Sequence, residues 1–228
     1  MIRMKISVIT INLNNRVGLI NTIESVINQS YFDKVEYIVI DGGSTDGSRT
    51  VIEKYKSNLS YWVSEKDGGI YNAMNKGIDA ATGDYTIFLN SGDYFHSIYA
   101  IEGMYRRLDC DIVYGDLCIH QGNWKDGWFI KQYTDVIPDD YFTYEALPHE
   151  AAFVRTELYK RLRFREDYKV ISDTLFFYQA IVVEKVSYRH VYFVVTDFFL
   201  GGVSSDMPRL SEEKERFFMG TDLRYCYE

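Results

Sequence analysis

The sequence predicts an α/β fold with a mostly parallel, Rossmann-like central sheet flanked by helices. Two observations support this class. Apolar runs rich in β-branched residues alternate with amphipathic segments through the first half of the chain, and that alternation is the signature of a parallel sheet with right-handed crossovers. Several of the runs stop at turns rich in Asn, Asp or Gly. We therefore expect a ligand site at the carboxyl edge of the sheet.

The most informative stretch is GDYTIFLNSGD, residues 83–93. Residues 85–89 are typical of a buried strand, because five apolar or β-branched residues lie between turn formers. Asn90, Ser91 and Asp93 follow it and offer oxygen ligands of the kind that Mg²⁺ and Mn²⁺ prefer. A plain turn is the alternative, since Asn, Ser, Gly and Asp all favour turns.

The other elements of the first half follow the same alternation. Leu19, Ile23 and Val26 share one helical face, as expected of a helix packed on a sheet. Asp46 is expected to cap the second helix. The predicted strands are residues 6–11, 35–40, 59–64 and 111–114, and the predicted helices are residues 16–29, 48–55, a segment starting near Gly69, and 98–108.

The pattern changes after Gly115 and Asp116. Residues 117–130 carry two turn signals between aromatic residues, which indicates an antiparallel ribbon. Residues 133–148 predict a long loop, and such loops often line a site. Strands are then predicted at 151–154 and 191–195, and helices at 157–162 after a Thr156 cap, from Asp173 after a Ser172 cap, and at 210–219. We expect one domain over residues 1–228, with the halves 1–115 and 116–228 serving different ligands.

Composition narrows the function classes and the compartment. The formal net charge of −8 argues against a nucleic-acid partner. The three cysteines form no CxxC pair, which favours a reducing compartment. The sequence shows neither the apolar region of a signal peptide nor a run of about 20 apolar residues. We therefore expect a cytoplasmic protein, at most peripheral to the inner membrane face, while the oligomeric state stays open.

Four motifs in this order resemble the family-two glycosyltransferases with the A-type fold. They are SVITINLN at 7–14, IDGGSTDG at 40–47, the helix at 69–78, and GDY leading to FLNSGD at 83–93. The resemblance is continuous over about residues 5 to 115 and weaker through 148–153 and 171–173. DGGIY at 67–71 together with NSGD at 90–93 resembles the branch that builds bacterial polysaccharides, including colanic-acid-type enzymes.

The resemblance implies metal-assisted, inverting transfer of a sugar from a nucleoside-diphosphate sugar, with UDP as the expected nucleotide. The acceptor would be a hydroxyl of a saccharide or a lipid-linked saccharide in surface polysaccharide synthesis. For Asn14, Asp41 and Asp67 the alternative is a capping role in a turn or at a helix start. The donor-binding residues implied are Asn12, Asn14, Asp41, Gly43, Asp67, Tyr71 and Ser91.

The implied metal ligands are Asp93 and Asn90, with Mg²⁺ or Mn²⁺ as the cofactor. Here the sequence departs from the family pattern D-x-D-D, because Asn90 and Gly92 replace two of the acids. Fewer carboxylates weaken cation binding. The diphosphate of the donor would therefore have to supply much of the coordination.

Asp173 is the implied catalytic base, since the family's base lies at the start of a late helix. A base must reach the acceptor hydroxyl, whereas an acid that only complements the helix dipole need not. His149 and Glu150 are expected on the acceptor side. Contact of His149 with the donor phosphates is one alternative, and a purely structural role is another, since a lone histidine is often structural. Gly201, Gly202 and Ser204 resemble the loop that closes over the donor, and a surface turn is the alternative.

Two competing functions remain open from the sequence. A nucleotidyltransferase would also place acids at strand ends, but it would be expected to carry a Gly-rich basic loop after the first strand. NLNNRV at 12–17 does not fit that description. A catalytically silent nucleotide-sugar-binding module on the same fold is the second alternative, favoured by the reduced acidic motif.

Overall fold

The computed structural model describes residues 4–121, 127–201 and 206–220. The strands in these ranges are β1 Ile6–Asn12, β2 Val35–Asp41, β3 Tyr61–Ser64, β4 Tyr85–Phe88, β5 Tyr94–Phe95, β6 Ile112–His120, β7 Trp128–Lys131, β8 Ala152–Arg155 and β9 Tyr188–Phe199. The helices are α1 Arg16–Ile27, α2 Ser48–Tyr55, α3 Ile70–Ala80, α4 Ala100–Tyr105, α5 Tyr141–Tyr144, α6 Thr156–Leu162, α7 Ser172–Phe177 and α8 Met207–Phe218. A π-helical turn, Tyr178–Val183, continues α7.

The described strands form one sheet in the order β3-β2-β1-β4-β8-β6-β9-β5, and β7 pairs with β6. Strands β3, β2, β1 and β4 are parallel neighbours. Strand β8 lies antiparallel between β4 and β6, so β6 and β9 return to the direction of the first four. The fold class predicted from the sequence is confirmed, and most strands share one direction. The short strands β5, β7 and β8 run against it.

Buried strands and amphipathic helices explain this arrangement. Every residue of β1 and β4 is buried, as expected of strands covered on both faces. One apolar core packs α1, α2 and α4 on one face of the sheet, and a second packs α3, α6 and α7 on the other. The register of β1 with β2 pairs Asn12 with Asp41. The polar strand ends therefore meet at one edge.

The second half differs from prediction in its strands. The strand predicted to end at Tyr114 continues as β6 to His120, with an irregular register against β9 next to Gly115. A Cβ at Gly115 would lie 2.5 Å from the carbonyl oxygen of Phe193, so glycine permits this close approach. The antiparallel ribbon is confirmed as β6 and β7. Its predicted turn residues, 122–126, lie outside the described residues.

Helix starts were predicted with mixed success. Asn15 caps α1 through Gly18 N–H. The Asp46 prediction is wrong, because Gly47 is the N-cap of α2, although Asp46 accepts from Ser48 N–H beside it. The Ser172 prediction is wrong, because Ser172 lies inside the first turn of α7 and Ile171 precedes it. The Thr156 prediction is also wrong, since Thr156 begins α6 and its hydroxyl pairs with that of Thr86.

The second half also contains secondary structure where a loop was expected, because α5 interrupts residues 133–148. Within the described ranges, we find no helix with the length and apolar character needed to span a bilayer.

Candidate functional site

A cavity of about 710 Å³ opens where β1 and β4 end, beside the start of α3 and of α7. It brings together residues that are up to 198 positions apart in the sequence, as expected for a site at the carboxyl edge of an α/β sheet. The predicted site residues that line it are Asn12, Asp67, Tyr71, Asn90, Ser91, Asp93, His149, Glu150, Asp173 and Gly201. Asn14, Asp41 and Gly43 do not line it.

Asp93 is buried at the floor of this cavity, with only 7% of its surface exposed. The backbone N–H of Phe199 donates to its Oδ1 at 3.0 Å. Burial raises the pKa of Asp93 well above its usual range, and the nearby charge of Glu150 raises it further. The Thr22 hydroxyl of α1 donates to the Asp93 carbonyl at 2.7 Å. The Thr22 hydroxyl thus links α1 to the turn that carries Asp93.

His149 connects the turn at Asn90 to Asp173. Its Nε2 lies 3.1 Å from the amide nitrogen of Asn90 and 3.1 Å from Glu150 Oε1. Its Nδ1 lies 2.9 Å from Asp173 Oδ2. Burial lowers the pKa of His149, but the charges of Glu150 and Asp173 outweigh it and raise the pKa to about 9. His149 is therefore an integral part of the site.

Asp173 lies in the first turn of α7, with its side chain 14% exposed to the cavity. The Tyr71 hydroxyl donates to its Oδ1 at 3.1 Å, and Thr174 N–H donates to the same oxygen at 2.8 Å. Burial raises the pKa of Asp173, but the hydrogen bond and charge of His149 lower it more, so the pKa lies below its usual value. Asp173 is therefore ionised at neutral pH and can accept a proton.

The Asp41 carboxylate receives its hydrogen bonds from its own turn and from neighbouring strands. Asp41 has no exposed surface, and it accepts hydrogen bonds from Ser44 N–H at 3.0 Å and from the Ser64 hydroxyl at 2.6 Å. Asn12, which lines the cavity, donates its amide to Asp41 at 2.7 Å. In this conformation Asp41 orients Asn12 and does not reach the cavity itself.

Two other predicted donor residues shape the same region from outside the cavity. Asn14 accepts from Thr45 N–H at 2.8 Å and so joins the turns that follow β1 and β2. The helix-capping role considered for Asn14 belongs to Asn15, which is the N-cap of α1. Gly43 has a φ of +83°, and a Cβ there would lie 3.0 Å from the Lys66 nitrogen. Glycine therefore allows the Asp41 turn to lie against the segment before α3.

The start of α3 contributes two predicted residues directly to the cavity. Asp67 accepts from Gly69 N–H at 2.9 Å in the turn before α3 and also lines the cavity. The N-cap alternative for Asp67 is wrong, because Gly69 is the N-cap of α3. Tyr71 is almost fully buried and also donates to the carbonyl of Val170 at 2.7 Å. Ser91 donates to the Asn15 carbonyl at 3.2 Å.

Two basic residues at the cavity were not predicted. Lys169 precedes α7, and Arg209 lies in the first turn of α8. Neither belongs to a motif, so only the spatial arrangement reveals them. Glu213 of α8 accepts from the backbone N–H groups of Lys169, Val170 and Ile171, at 2.8 to 3.2 Å. This buried carboxylate holds the segment that leads into α7.

The donor set at the end of β4 fits a hard divalent cation. In the part of the chain that the structure describes, Asn90 Oδ1 is buried without a hydrogen-bond partner. Asp93 and Glu150 are buried carboxyl groups whose pKa values are both raised by burial. His149 supplies one positive charge beside Glu150, and a cation ligated by oxygens would supply positive charge to Asp93 as well.

The predicted closing loop is only partly described. Gly201 lines the cavity and has a φ of +119°, a conformation that favours glycine. Gly202 and Ser204 lie outside the described residues. Phe198, Phe199 and Leu200 at the end of β9 complete this wall of the cavity.

The fold and the cavity define the A-type glycosyltransferase class. Similar solved structures include S. aureus TarS 1-349 in complex with UDP-GlcNAc, with a TM-score of 0.73, 19% identity, and coverage of 94% of this chain and 65% of TarS 1-349. The mannosyltransferase PcManGT from Pyrobaculum calidifontis, in complex with GDP-Man and Mn²⁺, gives a TM-score of 0.61 at 18% identity, covering 84% of this chain and 55% of that one. These likenesses show a shared fold.

The sequence comparisons identify the family. The model of Glycosyl transferase family 2 matches residues 7–186. A Mycobacterium tuberculosis protein described as an uncharacterized glycosyltransferase is 31% identical over 97% of this chain and 89% of its own length. The chain therefore belongs to glycosyl transferase family 2 and is a glycosyltransferase.

Proposed function

We propose that the enzyme transfers a sugar from a nucleoside-diphosphate sugar to a hydroxyl of a saccharide or lipid-linked saccharide, with inversion at the anomeric carbon. Bacterial surface polysaccharide synthesis is the proposed setting, and the colanic-acid-type branch is the one that the motifs favour. The complexes of TarS with UDP-GlcNAc and of PcManGT with GDP-Man support a nucleotide-sugar donor. UDP is the proposed nucleotide.

The observation that carries the proposal is a continuous polar connection across one cavity. The end of β4 contributes Asn90 and Asp93, and the start of α7 contributes Asp173. His149 lies between Asn90 and Asp173, within 3.1 Å of the first and 2.9 Å of the second. This connection supports a site for the diphosphate and a site for proton removal in one pocket, as sugar transfer requires.

We assign donor binding to the part of the cavity next to β1, β2 and the start of α3. Asn12 and Asp67 have polar atoms at the cavity and would contact the base and the ribose, while Asp41 would hold Asn12 in place. Lys169 and Arg209 supply positive charge at the same cavity, in a chain that is acidic overall. They would bind the diphosphate, because cationic donors form the stronger hydrogen bonds to phosphate oxygens.

Asp173 would accept the proton of the acceptor hydroxyl. Its lowered pKa keeps it ionised, and the contacts from Tyr71 and His149 fix the carboxylate plane. General-base assistance of this kind contributes about 10²- to 10⁴-fold to a rate. His149 stabilises the ionised form and positions Asp173.

A Mg²⁺ or Mn²⁺ ion would be held by Asp93 and Asn90, and when bound it supplies positive charge to the leaving diphosphate. The Mn²⁺ in the PcManGT complex is consistent with this assignment. Because the motif contains one carboxylate where the family pattern has three, we propose that the donor contributes to metal affinity.

A lipid-linked acceptor would place the enzyme at the inner membrane face. Trp128, Phe129 and Ile130 of β7 are 45% to 61% exposed, and Val136 and Tyr144 in the adjoining segment are 70% and 64% exposed. Amphipathic aromatic rings suit a membrane interface. We propose this face as the side on which such an acceptor is presented.

Thermal-shift measurements test the donor. We expect UDP or a UDP-sugar to raise the melting temperature, and Mn²⁺ to increase that shift, because a ligand that binds only the folded state stabilises it. GDP and ADP serve as controls for the base. Absence of a shift with every nucleoside diphosphate, with and without Mn²⁺, would refute nucleotide-sugar binding.

A transfer assay separates an active enzyme from a silent binding module. We expect Asp173→Asn to keep the donor-induced shift and to reduce turnover about 10²- to 10⁴-fold. Asp167→Asn is the matched control, since Asp167 is 56% exposed and pairs with Arg165. Equal turnover in Asp173→Asn and the wild type would remove Asp173 as the base.

A further inference from the structure

A second cluster of metal-binding side chains lies behind the Phe198–Phe199 wall of the cavity. Cys118 on β6 is paired directly with Asp197 on β9. Asp197 is paired in turn with Tyr94 on β5, and His96 follows that strand. Three neighbouring strands therefore bring His96, Cys118 and Asp197 to one place, and glycosyl transfer as proposed above uses none of them.

The ligand atoms of this cluster are close enough to share one ion. A ring nitrogen of His96, the Sγ of Cys118 and a carboxylate oxygen of Asp197 all lie within 4.8 Å of one another. His96 Nδ1 and Asp197 Oδ2 are 3.1 Å apart. In a tetrahedral zinc site the ligand atoms are separated by roughly 3.3 to 3.6 Å, given Zn–N and Zn–S bonds of about 2.0 and 2.3 Å. Small side-chain adjustments would close the site.

The surroundings of the cluster resemble those of protein metal ligands. His120 Nε2 lies 2.7 Å from Asp197 Oδ1, the oxygen that His96 does not contact. Ligating carboxylates are usually held by such an outer hydrogen bond. Cys118 and Asp197 are buried, whereas the His96 side chain is 42% exposed. The exposed imidazole gives an ion a path from solvent and leaves a fourth position for water.

We propose that His96, Cys118 and Asp197 bind a Zn²⁺ ion, with His120 positioning Asp197. One thiolate, one imidazole and one carboxylate suit zinc, while Mg²⁺ and Mn²⁺ prefer sites made of oxygens. The ligand chemistry therefore separates this site from the Asn90 and Asp93 site. Burial and the neighbouring Asp197 raise the pKa of the Cys118 thiol to about 11, so zinc binding would release its proton.

Zinc at this position would brace the wall of the donor cavity. His120 stacks on Phe199 with ring centroids 4.5 Å apart, and Phe199 N–H donates to Asp93. An ion that joins β5, β6 and β9 would fix the segment from which this contact comes. We assign it a structural role beside the site, in addition to the transfer chemistry.

Calorimetric titration with Zn²⁺ tests the proposal directly. The full chain, stripped of metal and kept reduced, is titrated in excess Mg²⁺, which occupies oxygen sites. We expect one Zn²⁺ per chain, and with Co²⁺ as a probe we expect a thiolate-to-cobalt charge-transfer absorption. Cys118→Ser should remove that absorption and weaken Zn²⁺ binding at least about 10-fold, and His96→Gln should weaken it by about 10- to 100-fold.

Cys110→Ser is the matched control, because Cys110 is a free cysteine outside the cluster. It should bind Zn²⁺ as the wild type does. Should Cys118→Ser fail to fold, His96→Gln decides alone, since His96 lies at the surface. Absence of Zn²⁺ binding by the wild type overturns the proposal, and so does wild-type affinity in His96→Gln.

Discussion

Asp41 is the last residue of β2, and Asp93 lies in the turn between β4 and β5 of the same sheet, yet their surroundings are opposite. Asp41 receives hydrogen bonds from Ser44, Ser64 and Asn12, and although burial raises its pKa these bonds lower it below the usual value. Asp93 receives one backbone hydrogen bond beside the acidic Glu150, and its pKa is raised. The Asp41 carboxylate is satisfied by hydrogen bonds within the protein, whereas Asp93 is the carboxylate at which we propose a bound cation.

This difference separates two roles for a carboxylate near the end of a strand: stabilising the fold and binding a ligand. A carboxylate whose acceptor capacity is filled by its own turn stabilises structure. A buried carboxylate left without that support costs stability and is retained where it binds something. The two turns should therefore respond to mutation in opposite ways.

The largest expected effect is on turnover in Asp93→Asn. We expect a loss of about 10³-fold, equivalent to roughly 4 kcal/mol in the barrier, and loss of the Mn²⁺-dependent part of the donor shift. The metal-free melting temperature should stay unchanged or rise, because a buried acid whose charged form is disfavoured is replaced by a neutral amide. A large fall in the metal-free melting temperature would show that Asp93 stabilises the fold and would contradict this assignment.

Asp41→Ala should have the reverse profile. Removing it leaves the buried Asn12 and Ser64 groups without their acceptor, so we expect the free energy of unfolding to fall by about 3 kcal/mol. Urea denaturation measures this. Asp139→Ala is the control, since Asp139 is 81% exposed and its pair with Lys185 lies on the surface. Equal urea midpoints for Asp41→Ala and Asp139→Ala would show that Asp41 does not stabilise the fold.

Glu36 extends the comparison to pH. Burial raises its pKa, but hydrogen bonds from Ser7, Thr82 and Lys5 lower it to about 2. A lowered carboxylate pKa gives stability that is present above the unfolded pKa of 4.5 and is lost as the pH falls through about 2. The loss over this window should be roughly 3 kcal/mol, because each unit is worth about 1.4 kcal/mol.

Glu36→Gln measures that contribution. The variant should be less stable than the wild type at pH 7, and the difference should shrink as the pH falls from 4.5 toward 2. Glu53→Gln is the control, because Glu53 forms an exposed pair with Arg49. A difference that stays constant across this range would assign the effect to packing.

The smallest expected effect concerns Arg209. Arg209→Gln should raise the KM for the donor about 10-fold, roughly 1.4 kcal/mol, and leave stability unchanged. Arg49→Gln, on the exposed face of α2, serves as the control. A change in kcat with the donor KM unaffected would show that Arg209 does not bind the donor.

The sequence predicted the elements whose signals are local. Strand β1 and its turn were predicted because apolar runs and turn formers are read directly from neighbouring residues. Strand β8 shows the limit, since its position between β4 and β6 depends on pairings of residues far apart in the chain. The continuation of β6 beyond Gly115 was missed because a glycine suggests a strand end, whereas here it permits close strand packing.

The candidate site shows the same limit. Ten of the predicted residues line one cavity because they follow strand ends or helix starts. Lys169 and Arg209 belong to no motif, and only the packing of α8 brings them there. The connection from Asn90 through His149 to Asp173 was equally hidden, because its members are 59 and 24 residues apart. Their roles remain predictions that the experiments above test.

The contact between Glu213 and residues 169–171 has a consequence for biosynthesis. The segment that carries the proposed base is held by a helix that leaves the ribosome some 40 residues later. We expect a nascent chain that ends before α8 to form the proposed donor-binding half while Asp173, the proposed catalytic base, is still out of position. Catalytic competence would then arise only after this late helix docks.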